Sequence, residues 1–186
     1  MKRLSVMYVL IAYLGVLSMA ATVFGYERAF PQTPTGEIEV KTLPASVLLE
    51  TENEGRYYDE SNGLFYRLFR YISRHDIKMT VPVEAGLETA SMKFYVGSRD
   101  QDKELPDEES VKVLRLPLRT VASHGGRGAY RESTLQKAQD ALQTWIEQQP
   151  GMRMAGEPYA IFWDGPYKPG FMKRYEIHIP VSIESE

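Results

Sequence analysis

The chain has 186 residues, with 22 Lys+Arg against 25 Asp+Glu, three His and no Cys. That length accommodates one domain with an appendage, and a net charge of −3 provides no basic face for nucleic acid. The lack of Cys excludes a disulfide scaffold, a Cys zinc site, a thiol nucleophile, an iron–sulfur cluster and c-type haem attachment.

Lys2 and Arg3 precede an uncharged run from Leu4 to Gly25. A short basic head before an apolar stretch reads as an export signal, with candidate cleavage points after Ala20 and after Gly25. At about 20 residues the run is also long enough to span a bilayer uncleaved. Residues 1–25 are therefore read as a signal peptide or an N-terminal membrane anchor. Either way the basic head stays inside, and the rest is exported to a periplasmic or other extracytoplasmic location. Any membrane association runs through this segment alone. Residues 26–36, with Pro31, Pro34 and Gly36, read as an extended leader to a domain over 37–183.

The domain reads as a repeat. An ungapped offset of 73 superposes Val40 on Val113, Leu43 on Leu116, Pro44 on Pro117 and Gly55 on Gly128. Each segment reads as strand, Pro-marked turn, strand and polar loop. The same offset lays Gly63–Arg74 over Gln136–Glu147, both with helical periodicity. Leu64, Phe65, Leu68, Phe69 and Ile72 form the apolar stripe of the first helix. Leu135, Ala138, Ala141, Leu142, Trp145 and Ile146 form that of the second. Ser133 to Gln136 resembles a capping box, and Pro150-Gly151 ends the second helix. Strands follow each helix, at Met79–Glu84 and Ser91–Gly97, then at Tyr159–Trp163 and Tyr175–Ile183. The expected fold is α+β: duplicated ββαββ halves forming a distorted open β-barrel or mixed sheet flanked by two helices.

Two such halves leave a groove at their junction, where small ligands bind. In the last strand Tyr175, Ile177, Ile179 and Val181 alternate with Glu176 and His178. If the apolar set packs on a helix, Glu176 and His178 face the groove or solvent. Desolvation in a groove is expected to raise the pKa of Glu176.

Ile77-Lys-Met79-Thr-Val-Pro-Val83, just after the first helix, resembles a signature of the SOUL haem-binding proteins. Leu43-Pro-Ala45 with Leu49-Glu-Thr51, and Asp164-Gly-Pro-Tyr-Lys-Pro-Gly-Phe171 leading into Lys173–Ile177, are similar to other parts of that family. The resemblance runs from about Gly36 to Ser182. It implies a distorted barrel of duplicated halves with two helices, and non-covalent, non-catalytic haem or tetrapyrrole binding in an apolar groove near the first helix. The family's Gly/Asn-rich turn after that helix is replaced by Ser73-Arg-His-Asp76.

A haem site needs an apolar plate, cations for the propionates and optionally an axial ligand. Tyr66, Arg67, Arg70, Tyr71 and Arg74 are expected on the helix face away from the Leu/Phe stripe, where Arg suits carboxylates. His75, at the end of this helix, is the candidate axial ligand, and Met79 and Glu176 complete the set of candidate contacts. His124, beside Gly125-Gly126-Arg127-Gly128, reads as part of a turn, with an anion nest as the alternative. The acidic residues Asp100, Asp102, Glu104, Asp107, Glu108 and Glu109 read as a solvated loop.

No Gly-x-Ser-x-Gly elbow, His-Glu-x-x-His pair, P-loop or dinucleotide fingerprint occurs, so the chain reads as a non-enzyme. Two other classes compete with haem binding. One is an effector-binding domain for small amphipathic or cationic ligands, like the gyrase-inhibitor-like domains, with Glu176 as the groove carboxylate. The other is a structural envelope protein held by the N-terminal run.

Overall fold

The computed structural model describes residues 25–55 and 57–184. The expected signal or anchor segment thus lies outside the described residues, apart from Gly25. The strands are β1 Glu27–Arg28, β2 Ile38–Leu43, β3 Ser46–Glu52, β4 Thr80–Val81, β5 Val83–Gly86, β6 Ser91–Tyr95, β7 Lys112–Leu116, β8 Arg119–Arg127, β9 Met152–Met154, β10 Tyr159–Phe162 and β11 Arg174–Ile183. The helices are α1 Tyr57–Arg74 and α2 Glu132–Glu147.

Eight antiparallel strands form one curled, open half-barrel in the order β2-β8-β11-β10-β5-β6-β3-β7, with β9 added along the end of β11. Exchanging β2 with β7, β3 with β8, β5 with β10 and β6 with β11 returns the same order read backwards. The duplication expected from the offset of 73 is therefore a twofold, passing between β5 and β10. α1 packs on β3 and β6, and α2 on their equivalents β8 and β11. Gly55 and Gly128, superposed by the repeat, both have positive φ, at 110° and 146°, where a side chain would be strained.

The halves are exchanged at their edges. β2 pairs with β8 and β7 with β3, so neither opening ββ pair forms a hairpin of its own. The barrel sheet is antiparallel rather than mixed. Parallel pairing among the described residues is confined to the short β1–β4 ladder.

The apolar alternation of β11 puts Tyr175, Ile177, Ile179 and Val181 on the helix side. Leu64, Leu68 and Ile72 of α1 and Leu135, Leu142 and Ile146 of α2 cover that side. Burying each such side chain is worth about 1.5–3 kcal/mol. A second cluster, with Phe30, Leu43, Tyr95, Val121, Ile161 and Trp163, occupies the other side of the sheet.

Four local expectations are corrected. α1 starts at Tyr57, two turns before Gly63. The buried Tyr57 ring lies 5.9 Å from Phe162, and that packing outweighs the cost of about 1 kcal/mol for glycine in a helix. Ser133 does not cap α2: Arg131 is the N-cap, and no side chain caps it. The strand expected over Met79–Glu84 is split at Pro82, which has no N–H for a ladder. Gly125 and Gly126 lie inside strand β8, not in a turn. A side chain at Gly126 would strike the Tyr175 ring, so close packing explains the glycine.

Candidate functional site

α1 ends in a left-handed residue. Asp76 has φ 48°, a conformation usually taken by Gly or Asn and tolerated by Asp. The Ser73–Asp76 segment thus stops the helix without glycine at the left-handed position. His75 is fixed there, its Nε2 2.9 Å from Glu108 Oε1 and its ring 4.3 Å from that of Tyr71. Arg74 Nη1 donates to Glu108 Oε2 at 2.6 Å. The hydrogen bond with His75 and then the Arg74 guanidinium hold the Glu108 carboxyl below its usual range.

The faces of α1 differ from the expected stripe at two positions. Tyr71 is 1% exposed, with its hydroxyl donating to Pro106 O at 2.7 Å, and burial raises its pKa to about 12. Phe69, expected in the core, is 46% exposed and stacks on Phe65 at 6.0 Å. Tyr71 cannot form an outward plate because loop 97–111 covers it, its hydroxyl bonded to Pro106 O. Outward-facing on α1 are Tyr66, 61% exposed, Phe69 and Arg70, whose guanidinium lies 5.5 Å from the Tyr66 ring. Arg67 turns toward β3, with Nη1 donating to Glu52 O at 3.0 Å. Met79 is half-buried against the helix-side core.

The loop of acidic residues is organised rather than merely solvated. Asp100 is buried, accepts the Lys78 N–H at 3.1 Å and pairs with Lys103 at 2.9 Å, while Asp107 accepts the Val113 N–H at 2.8 Å. These contacts tie the loop to the end of α1.

Glu176 lies on the opposite side of the sheet from α1, so it does not join Arg67, Arg70, His75 and Met79. Neither it nor His178 faces solvent; both are 0% exposed. Their roof is the leader. Phe30 inserts its ring 5.5 Å from Tyr95, 5.6 Å from Trp163 and 5.7 Å from His178. Glu176 Oε1 accepts the Thr33 N–H at 3.0 Å and the Trp163 Nε1–H at 2.7 Å. Its Oε2 accepts from Lys41 at 2.6 Å, Ser123 at 2.8 Å and His178 Nε2 at 2.7 Å.

This environment reverses the pKa direction expected for Glu176. Burial does push the pKa up, but the hydrogen bond from His178 and the charge of Lys41 overcome it and hold the carboxyl at about 2. Burial pushes His178 down, leaving a neutral imidazole whose Nε2–H donates to Glu176. With Lys41 so close and both oxygens engaged, Glu176 has no charge to spare for an organic cation.

A second carboxylate stands in the same row. Ile161 is the register partner of Glu176 on one side and of Glu84 on the other. Glu84 pairs with Lys93 and Arg119, each at 3.2 Å, and accepts the Tyr95 hydroxyl at 2.9 Å. Burial opposes its ionisation, but the two cations keep its pKa low.

Residues 26–180 match the family described as SOUL heme-binding protein. The chain belongs to that family. No curated protein matches it. Among solved structures, the C-terminal domain of EcmrR is similar at 14% identity and TM-score 0.64, covering 80% of this chain and 98% of that one. EcmrR in its complex with DNA is similar at 14% identity and TM-score 0.64, covering 96% of this chain; the chain spans only 65% of that protein. A hydrolase from Listeria innocua matches at 15% identity and TM-score 0.53, over 81% of this chain and 94% of that one. At these identities the likeness is one of fold.

The outward face of α1 in this SOUL domain fits the face of a tetrapyrrole, since it joins aromatic rings to a guanidinium. Axial ligation fits less well. His75 is engaged with Glu108, His124 Nδ1 lies 3.2 Å from Ala138 O, and His178 is fully buried. Of the two depressions described, one of about 650 Å³ is lined by Glu52, Glu54 and Glu88, and the other by Glu50, Glu52 and Glu109 against the single cation Lys112. Both are too acidic to attract propionates.

The sequence reading missed Phe30, Thr33, Lys41, Ser123 and Trp163 around Glu176. An aromatic residue inside a Pro-rich leader was the available signal, because an exposed linker has no use for Phe30.

Proposed function

We propose that this chain is an exported, non-catalytic protein that binds haem or a related tetrapyrrole non-covalently against α1. The observation that carries the reading is membership of the SOUL heme-binding family over residues 26–180. Export rests on the basic head and apolar run of residues 1–25.

Phe69 and Tyr66 supply apolar contact, and Arg70 is placed to meet a carboxylate at the edge of the ring. When bound, haem supplies a redox-active iron; the protein supplies aromatic contact and a cation. His75 is an axial candidate through Nδ1, since its bond to Glu108 uses Nε2.

Hemin titration followed by absorbance tests this. A saturable shift of the Soret band that weakens in Phe69→Ala and Arg70→Ala is expected. A folded protein giving no Soret shift overturns the reading.

A further inference from the structure

We propose that the sheet face opposite the helices is a second ligand site, for a neutral, flat aromatic molecule carrying an N–H donor. In this proposal residues 29–33 occupy it as a built-in substitute that such a molecule displaces. The site is separate from the tetrapyrrole face on α1, on the other side of the sheet.

The shape comes from Phe30. It is a single ring, 4% exposed, held edge-on between Tyr95 and Trp163 in a slot that belongs to the sheet rather than to the leader. The donor requirement comes from Thr33, whose N–H reaches Glu176 Oε1. When the leader leaves, Trp163, Lys41, Ser123 and His178 still hold Glu176, and one acceptor direction on Oε1 opens. Charge decides that the ligand is neutral. Lys41 already balances Glu176, and Lys93 and Arg119 together balance Glu84 and Glu50, so an added ion of either sign would enter without a counter-charge.

Three buried polar atoms on this face have no partner among the described residues: the hydroxyl of Tyr159, Nδ1 of His178 and Nε of Arg119. Tyr159 and His178 are register partners with rings 5.3 Å apart, on the same face as Phe30. Native interiors seldom leave such atoms unsatisfied, and a donor and an acceptor side by side suit a ligand's polar edge.

Side chains rather than backbone hold the leader: Thr33 Oγ1 bonds with Glu39, Ser123, Glu176 and Lys41, and Lys41 Nζ donates to Pro31 O. Pro31 and Pro34 have no N–H to offer, and β1 is two residues long. Its main-chain bonds beyond that ladder include Ala29 N–H to Val81 O and Gly36 N–H to Gly125 O, each at 2.8 Å. By contrast β11 is a ten-residue strand paired on both sides. Segments with few backbone bonds open locally well before the core does.

Two full-length variants test the proposal with the fluorescent probe N-phenylnaphthylamine, a neutral aromatic amine. Gly125→Ala places a Cβ against the carbonyl oxygens of Thr33 and Pro34, evicting the leader while leaving every wall of the slot intact. Thr33→Cys with Ser123→Cys does the opposite when oxidised. The two hydroxyl oxygens lie 2.7 Å apart, and the chain has no other cysteine to interfere.

Gly125→Ala is expected to bind the probe more than about a hundredfold more tightly than wild type, because nearly all molecules then have the slot open. The oxidised double variant is expected to lose binding and to regain it on reduction. Hemin binding should be the same in all of them, so failure of the haem reading would appear separately, as absent hemin binding in wild type. Equal probe binding by the oxidised and reduced double variant overturns the proposal. So does a folded Gly125→Ala protein that binds no better than wild type. If Gly125→Ala does not fold, the oxidised-against-reduced comparison decides alone.

Discussion

The backbone N–H of Thr33 donates to Glu176 Oε1 at 3.0 Å across 143 positions of sequence. That bond joins the leader to the middle of β11 and turns an expected approach segment into part of the fold. It also explains how a carboxylate with no exposed surface stays ionised. The charge is met by Lys41, and the lone pairs are met by donors from the leader and three strands.

The leader should therefore contribute measurably to stability. Phe30→Ala is expected to cost about 3–5 kcal/mol, the range for emptying a buried aromatic site. Removing residues 26–36 should cost at least as much. Urea midpoints for the variants against the intact chain would measure this, and an unchanged midpoint would mean that the leader is not docked in solution.

Stability should fall in acid. The Glu176 pKa is depressed from 4.5 to about 2, so its contribution is complete above pH 4.5 and is lost as pH falls toward 2. For this shift the contribution is about 3 kcal/mol as an order of magnitude. His178, neutralised by burial, adds to the same trend once pH drops below about 6.5. Urea unfolding across this range should show the loss.

Glu176→Gln leaves Lys41 without its closest counter-charge. The variant should be about 3–5 kcal/mol less stable at pH 7, the usual cost of breaking a buried pair. Its stability should also vary less between pH 5 and pH 3 than that of wild type. A variant with wild-type acid sensitivity would assign the acid limb to other carboxylates, such as Glu84 or Asp100.

Hemin should be held mainly by apolar contact. Covering ~300 Å² of porphyrin at about 25 cal/mol per Å² gives roughly 7 kcal/mol, in the micromolar range without strong iron ligation. His75→Ala should weaken hemin only modestly, and iron-free porphyrin should bind nearly as well. Arg70→Ala should weaken both, with an effect that shrinks as salt rises, whereas Arg67 is already committed to Glu52. Loss of all binding in a folded His75→Ala protein would instead establish axial ligation.

Gly63 offers a test of α1 itself. It is exposed within the helix, so Gly63→Ala should add up to about 1 kcal/mol of stability, read as a higher urea midpoint.

Local pattern in the sequence determined much of this protein. The offset of 73 carried the duplication, and Val40, Leu43 and Gly55 lie on elements equivalent to those of Val113, Leu116 and Gly128. The alternation in Tyr175–Val181 assigned the core face of β11, because side chains in a strand alternate strictly. The Met79–Val83 motif pointed to the SOUL family, which the match over residues 26–180 established. Tertiary structure decided what no periodicity encodes. The exchange of β2 and β7 between halves depends on partners far apart in sequence, as in Val40 with Ala122 and Leu48 with Leu114. Tyr71, expected on the outward face, is inside because a loop from elsewhere in the chain covers it. The pKa direction of Glu176 depended on its hydrogen bond from His178, two positions along the same strand, and on Lys41, brought to it from β2. Desolvation is legible from a residue's place in a strand, but the partners that offset it are set by the fold.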